Sequence, residues 1–96
     1  MSQYARVVTF EADDAAIDAL VSEINSADGA PEGIAAKRIT VLADRAAGKV
    51  VVAIRFGSQE DLDQGAAILE GMSPPDEGNL RRVSVDVFEV LLERDA

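Results

Sequence analysis

Short runs rich in β-branched and aromatic residues recur along the chain, separated by polar segments and glycines. Runs of this kind are typical of β-strands. Four of them are long enough to cross a small sheet: residues 5–11, 36–43, 49–56 and 82–93. Residues 44–48 separate the second and third runs and end in Gly48, which predicts a β-hairpin. The chain is therefore expected to contain four strands, of which the last is unusually long.

The two longer gaps between these strands have the periodicity of amphipathic helices. The first gap has an apolar stripe at positions i, i+3, i+4 and i+7, formed by Ile17, Leu20, Val21 and Ile24. The second gap has a thinner stripe, formed by Leu62, Ala66 and Leu69. Aspartates 13 and 14 suit the start of the first helix, and residues 58–61 resemble a capping box at the start of the second. The predicted element order is βαββαβ.

This order favours an α+β domain of the ferredoxin-like kind. Short connections and right-handed crossovers place the four strands in one antiparallel sheet, in the order 4-1-3-2, with both helices on one face. Residues 1–96 are expected to form a single domain, because a chain of 96 residues has no room for a second one.

Both faces of the predicted sheet carry apolar residues. Strand residues alternate between faces, and one set is almost purely aliphatic, so it is expected to pack against the helices: Ile39, Val41, Val50, Val52, Ile54, Phe56, Val83, Val85 and Val87. The other face should be mostly polar if it were solvated, yet it includes Leu42, Val51, Phe88, Val90 and Leu92. We expect these five residues to form a homodimer interface, with a different partner protein as the alternative.

The charge of the chain limits its partners. Eighteen acidic and nine basic residues give a net charge of −9, which repels nucleic-acid phosphates and anionic lipids. We therefore expect neither nucleic acid nor membrane as a partner, and no segment approaches the length of about 18 apolar residues that a membrane span needs. The absence of cysteine suits a cytoplasmic protein.

The missing residue types also limit the chemistry. Without histidine and cysteine, the chain lacks the usual ligands of zinc and haem, so no metal and no other cofactor is expected. Magnesium or calcium bound by oxygen ligands stays open in principle. The serines have no histidine to activate them, which excludes the usual serine triad.

One group of polar residues on the mixed face is a candidate ligand site. Arg38 and Arg55 fall on the same side of neighbouring strands, where two guanidinium groups suit a carboxylate, an enolate or a phosphate. Thr40, Ser84 and Asp86 share that face, and Tyr4 is the only phenol. The competing interpretation is structural: the arginines pair with Asp86, Glu89 or acids of a partner subunit, or lie at the rim in water, and Tyr4 packs at the edge of a strand.

A βαββαβ chain of this length, apolar on both sheet faces, resembles the dimeric α/β-barrel superfamily, and within it the antibiotic-biosynthesis-monooxygenase-like proteins. The resemblance covers nearly the whole chain through its pattern and includes no motif, so it transfers no functional residue. It implies a dimer related to cofactor-independent oxygenases, isomerases and ligand-binding proteins. The haem-degrading branch uses Asn, Trp and His, but this chain has no Trp and no His.

Three functions stay open at this point. The first is a dimer that binds a small anionic or enolisable organic molecule. The second is a cofactor-independent monooxygenase or isomerase-like enzyme, in which Arg38, Arg55 or Tyr4 stabilises a developing anion. The third is an assembly module without a ligand.

Overall fold

A computed structural model of the chain describes residues 2–26, 34–71 and 79–95. The elements follow the predicted order: β1 (Gln3–Ala12), α1 (Asp14–Ser26), β2 (Ala36–Asp44), β3 (Lys49–Phe56), α2 (Gln59–Glu70) and β4 (Leu80–Val90). All neighbouring strands are antiparallel and form one four-stranded sheet. The fold is α+β and is compatible with a ferredoxin-like arrangement.

The strands lie in the order β2-β3-β1-β4, so β1 and β3 are central while β2 and β4 are the edges. Read from the β4 edge, the order is 4-1-3-2. The predicted hairpin joins β2 to β3, with Asp44 opposite Lys49. Gly48 closes its turn at a φ of 65°, in the left-handed region that glycine adopts without steric cost.

The core lies between one face of the sheet and the two helices. The alternation predicted for β3 is confirmed, because Val50, Val52, Ile54 and Phe56 are all buried. Their partners on β1 are Phe10, Val8, Arg6 and Tyr4, respectively, which settles the side of β1 that the sequence left open. The helices contribute Ile17 and Leu20 from α1 and Leu62 from α2.

The last strand differs from the prediction in two ways. It ends at Val90, so Leu91, Leu92 and Glu93 lie beyond it. Three valines that were expected against the helices are largely exposed: Val83, Val85 and Val87. The reason is the position of β4 at the edge of the sheet, since the helices pack mainly over β1 and β3. A register shift opposite Thr9 and Phe10 further interrupts the alternation on β4.

Asp13 joins the start of α1 to the start of β4. One oxygen of its carboxylate accepts a hydrogen bond from the backbone N–H of Ala16 at 2.9 Å. The other accepts two from Asn79, through the backbone N–H and the side-chain Nδ2, each at 3.1 Å. These donors stabilise the ionised form, so the pKa of Asp13 lies below its ordinary value, with the bond from Ala16 as the largest cause.

We predict that this arrangement makes stability depend on pH in acid. A carboxyl group whose pKa is lower in the folded state adds stability above its unfolded pKa, and that stability is lost as pH falls through the folded value. Asp13→Asn keeps an acceptor oxygen for the N–H of Ala16 and cannot titrate, although its amide nitrogen cannot accept the two hydrogen bonds from Asn79. Thermal unfolding between about pH 4 and pH 2 should therefore show a shallower pH dependence in the variant than in the parent protein. Equal slopes would contradict this role of Asp13.

Candidate functional site

No helix among the described residues covers the side of the sheet that faces away from α1 and α2, here called the open face. Cross-strand pairing arranges its residues in rows that run from β2 to β4. Three successive rows are Arg38-Arg55-Ala5-Phe88, Thr40-Ala53-Val7-Asp86 and Leu42-Val51-Thr9-Ser84. In these rows the two central strands carry mostly small and apolar side chains, with Arg55 as their one charged residue, and the two edge strands carry larger or polar residues.

A fourth row closes one end of the open face with alternating charges: Asp44, Lys49, Glu11 and Arg81. Opposite charges on neighbouring strands stabilise each other, and Arg81 indeed donates hydrogen bonds to Glu11. The row at the opposite end of these four rows lacks this pairing of opposite charges. Arg38 and Arg55 stand directly opposite each other there, and their row has no acidic residue.

Arg55 is one of the half-buried candidate polar residues on this face. Its side chain is 20% exposed and forms an ion pair with Glu93, in the segment that follows β4. Its Nε is buried and has no hydrogen-bond partner among the described residues. Arg38, by contrast, is exposed. The row therefore holds two guanidinium groups on neighbouring strands, of which Arg55 is already paired with Glu93. Guanidinium groups placed in this way can bind an anion.

The counter-charge of Arg55 differs from the two acids that the sequence offered. Asp86 belongs to the neighbouring row and lies on β4, two strands away from β3. Glu89 pairs opposite Tyr4, on the helix-facing side of the sheet. Glu93 takes their place because the chain leaves the sheet after Val90 and is then free to reach Arg55.

The remaining candidate residues divide between the two faces. Thr40, Ser84 and Asp86 lie on the open face, as expected from alternation. Tyr4 lies opposite Phe56 and packs against the core, so the structure separates it from the two arginines. Of the five residues expected at a dimer interface, Leu42, Val51, Phe88 and Val90 lie on the open face, whereas Leu92 lies beyond β4.

A second charged cluster, on the helix-facing side, was missed at the level of sequence. Arg6 is buried and donates a hydrogen bond to Glu70 Oε1 at 2.7 Å. Arg82 donates to both carboxylate oxygens of Glu70, at 3.0 and 3.1 Å. The bond from Arg82, followed by that from Arg6, lowers the pKa of Glu70. Because one acid binds both arginines, the cluster ties the end of α2 to β1 and β4. The sequence could have indicated this cluster only if it had shown which face of β1 meets the helices.

The described residues offer little other site chemistry. They contain no group of three or more acidic, histidine or cysteine side chains arranged to hold a metal ion. None of the helices in this part of the chain is long and apolar enough to cross a membrane.

Comparisons with known proteins do not relate this chain to any family. No protein-family model matches this chain, and no curated protein or solved structure matches it significantly. The function is therefore inferred from the open face and its arginines.

Proposed function

We propose that this protein is a homodimer, formed through the open face, that binds a small anionic or enolisable organic molecule beside Arg38 and Arg55. The observation that supports it most is the uncovered face itself. Its centre is small and apolar, and the large apolar side chains of Leu42 and Phe88 are more than half exposed at its edges. Covering such a surface removes apolar area from water, which stabilises an assembly by about 25 cal/mol per Å² before entropic costs.

The size of the open face suits a second copy of the chain. The shortest strand, β3, has 8 residues. Four strands paired over about this length, spaced about 4.8 Å apart and rising about 3.4 Å per residue, give a flat area of roughly 500 Å². The accessible surface of the side chains exceeds this flat area, which brings the face near the roughly 800 Å² that each partner buries in a stable interface. Two-fold dimers are the commonest soluble oligomers. A sheet-to-sheet dimer is also the assembly that the dimeric α/β-barrel resemblance implies.

The arginine row supports the ligand part of the proposal. Like charges on directly opposed strand positions destabilise a sheet, so Arg38 and Arg55 favour an anion between or beside them. A carboxylate or phosphate accepts hydrogen bonds from two guanidinium groups at once. The unused Nε–H of Arg55 supplies a further donor at the same place. Thr40 and Asp86 lie one row away and offer polar side chains for the rest of such a molecule.

We predict that Arg55→Met weakens the binding of small anions by about tenfold or more, because a charged hydrogen-bonding partner is lost. Inorganic phosphate and benzoate serve as probes, titrated at constant ionic strength. The readout is the NMR signal of the Arg55 Nε–H group in the parent protein, with calorimetry for both proteins. The fold should lose only about 0–1 kcal/mol, since the ion pair with Glu93 is partly exposed.

Arg81→Met is the matched control, because it removes the same charge from the same side of the sheet. Arg81 belongs to the row of alternating charges, where it pairs with Glu11. Its affinity for both probes should stay close to that of the parent protein. Equal binding by Arg55→Met and the parent protein would contradict the ligand site. A dimer that binds neither probe would instead favour an assembly module.

A further inference from the structure

Residues 91–95 follow β4 and are attached to the described part of the domain by one ion pair. Among the described residues, the ion pair between Glu93 and Arg55 is the only hydrogen bond or ion pair that residues 91–95 make. The two leucines of this segment provide little packing, since Leu91 is 86% exposed and Leu92 is 79% exposed. The position of Glu93 therefore depends mainly on the charge of Arg55.

We propose that Glu93 is a built-in competitor for the anion site, so that the C-terminal segment acts as a latch which a ligand must displace. This inference rests on the proposed function of Arg55. The carboxylate of Glu93 has the same chemistry as the carboxylate of an organic acid, and it already occupies one edge of the Arg55 guanidinium. A ligand that takes this position releases the segment from its one polar contact.

The latch also determines which anions can bind. A group tethered by a short flexible segment has an effective concentration in the millimolar range. An anion that makes only the contact made by Glu93 must compete with this carboxylate. It therefore binds poorly at concentrations below the millimolar range. A ligand with more than one acceptor has an advantage, because it also reaches Arg38 or the unused Nε–H of Arg55. The latch therefore raises the intrinsic affinity that any anion needs, and the additional contacts of phosphates and bidentate carboxylates supply it.

The test compares Glu93→Gln with Asp95→Asn in the full chain. Both changes remove one negative charge from the same segment, but Asp95 makes no ion pair within the described residues. Glu93→Gln should bind inorganic phosphate about three- to fivefold more tightly than the parent protein, the range expected for removing a partly exposed ion pair. It should also shift the Arg55 Nε–H signal before any phosphate is added. Asp95→Asn should leave both the affinity and the signal close to those of the parent protein.

The outcomes separate the latch from the proposed function. If the parent protein binds phosphate through Arg55, but Glu93→Gln binds it no more tightly, the latch is refuted and the ligand site stands. Equal tightening in both variants identifies a general charge effect and also refutes the latch. If neither the parent protein nor Glu93→Gln binds phosphate or benzoate, the ligand site fails and the latch fails with it.

Discussion

Replacing Gly65 with valine should destabilise the domain by about 3 kcal/mol, the upper part of the range for overpacked cores. A Cβ atom at this position of α2 would lie 2.6 Å from Cε1 and 2.9 Å from Cζ of the Phe56 ring. Phe56 is fully buried, so its ring has no free space into which it can move. The absence of a side chain at Gly65 is therefore what allows α2 to approach β3 closely.

Gly71→Val is the matched control, because Gly71 ends the same helix at a negative φ and a Cβ there meets only an ordinary contact at 3.5 Å. Urea unfolding at one fixed protein concentration measures both variants, since a dimer makes stability depend on concentration. Adding Phe56→Leu to Gly65→Val should cost less than the sum of the two single changes, because the smaller side chain relieves the clash. Similar stabilities of the two valine variants would contradict the close packing.

Phe88→Asp should weaken the proposed dimer by at least about 30-fold. It places a charge without a partner in the interface, and a two-fold dimer has this substitution twice. The fold of the single chain should change little, because Phe88 is 55% exposed before any dimer forms. Sedimentation velocity at several protein concentrations measures the dissociation constant, and circular dichroism checks that the variant is folded.

Val87→Asp is an unusually close control for this experiment. Val87 is the preceding residue on β4, is 53% exposed and points to the helix-facing side instead of the open face. It should leave the dimer intact. If Val87→Asp dissociates the dimer and Phe88→Asp does not, the interface involves the other side of β4, and the open face is not the interface.

The elements could be predicted from the sequence because each has a strong local pattern. Every second residue of β3 is buried, as the period of a strand requires: Val50, Val52, Ile54 and Phe56. The end of β4 could not be predicted from alternation. Leu91 and Leu92 continue the apolar run of β4, although the strand ends at Val90. Their exposure depends on where the neighbouring strand β1 begins, which is a property of the sheet and not of the local sequence.

The same distinction applies to the site. Alternation was enough to place Arg38 and Arg55 on one face, because their strands are regular. The partner of Arg55 was not predictable, since Glu93 was assigned to a strand that ends before it. The burial of Arg6 was missed for a similar reason: its pairing with Glu70 links residues 64 positions apart. Contacts of this range follow from the packing of α2 against the sheet, which no local pattern specifies.

The mass of the unmodified protein in solution tests the central claim most directly. Sedimentation equilibrium from about one to several hundred micromolar covers the affinities expected for an interface of this size. We predict a species of twice the 10.1 kDa chain mass across most of this range. A mass of 10.1 kDa at every concentration would contradict the proposal that the open face is covered by a second copy of the chain.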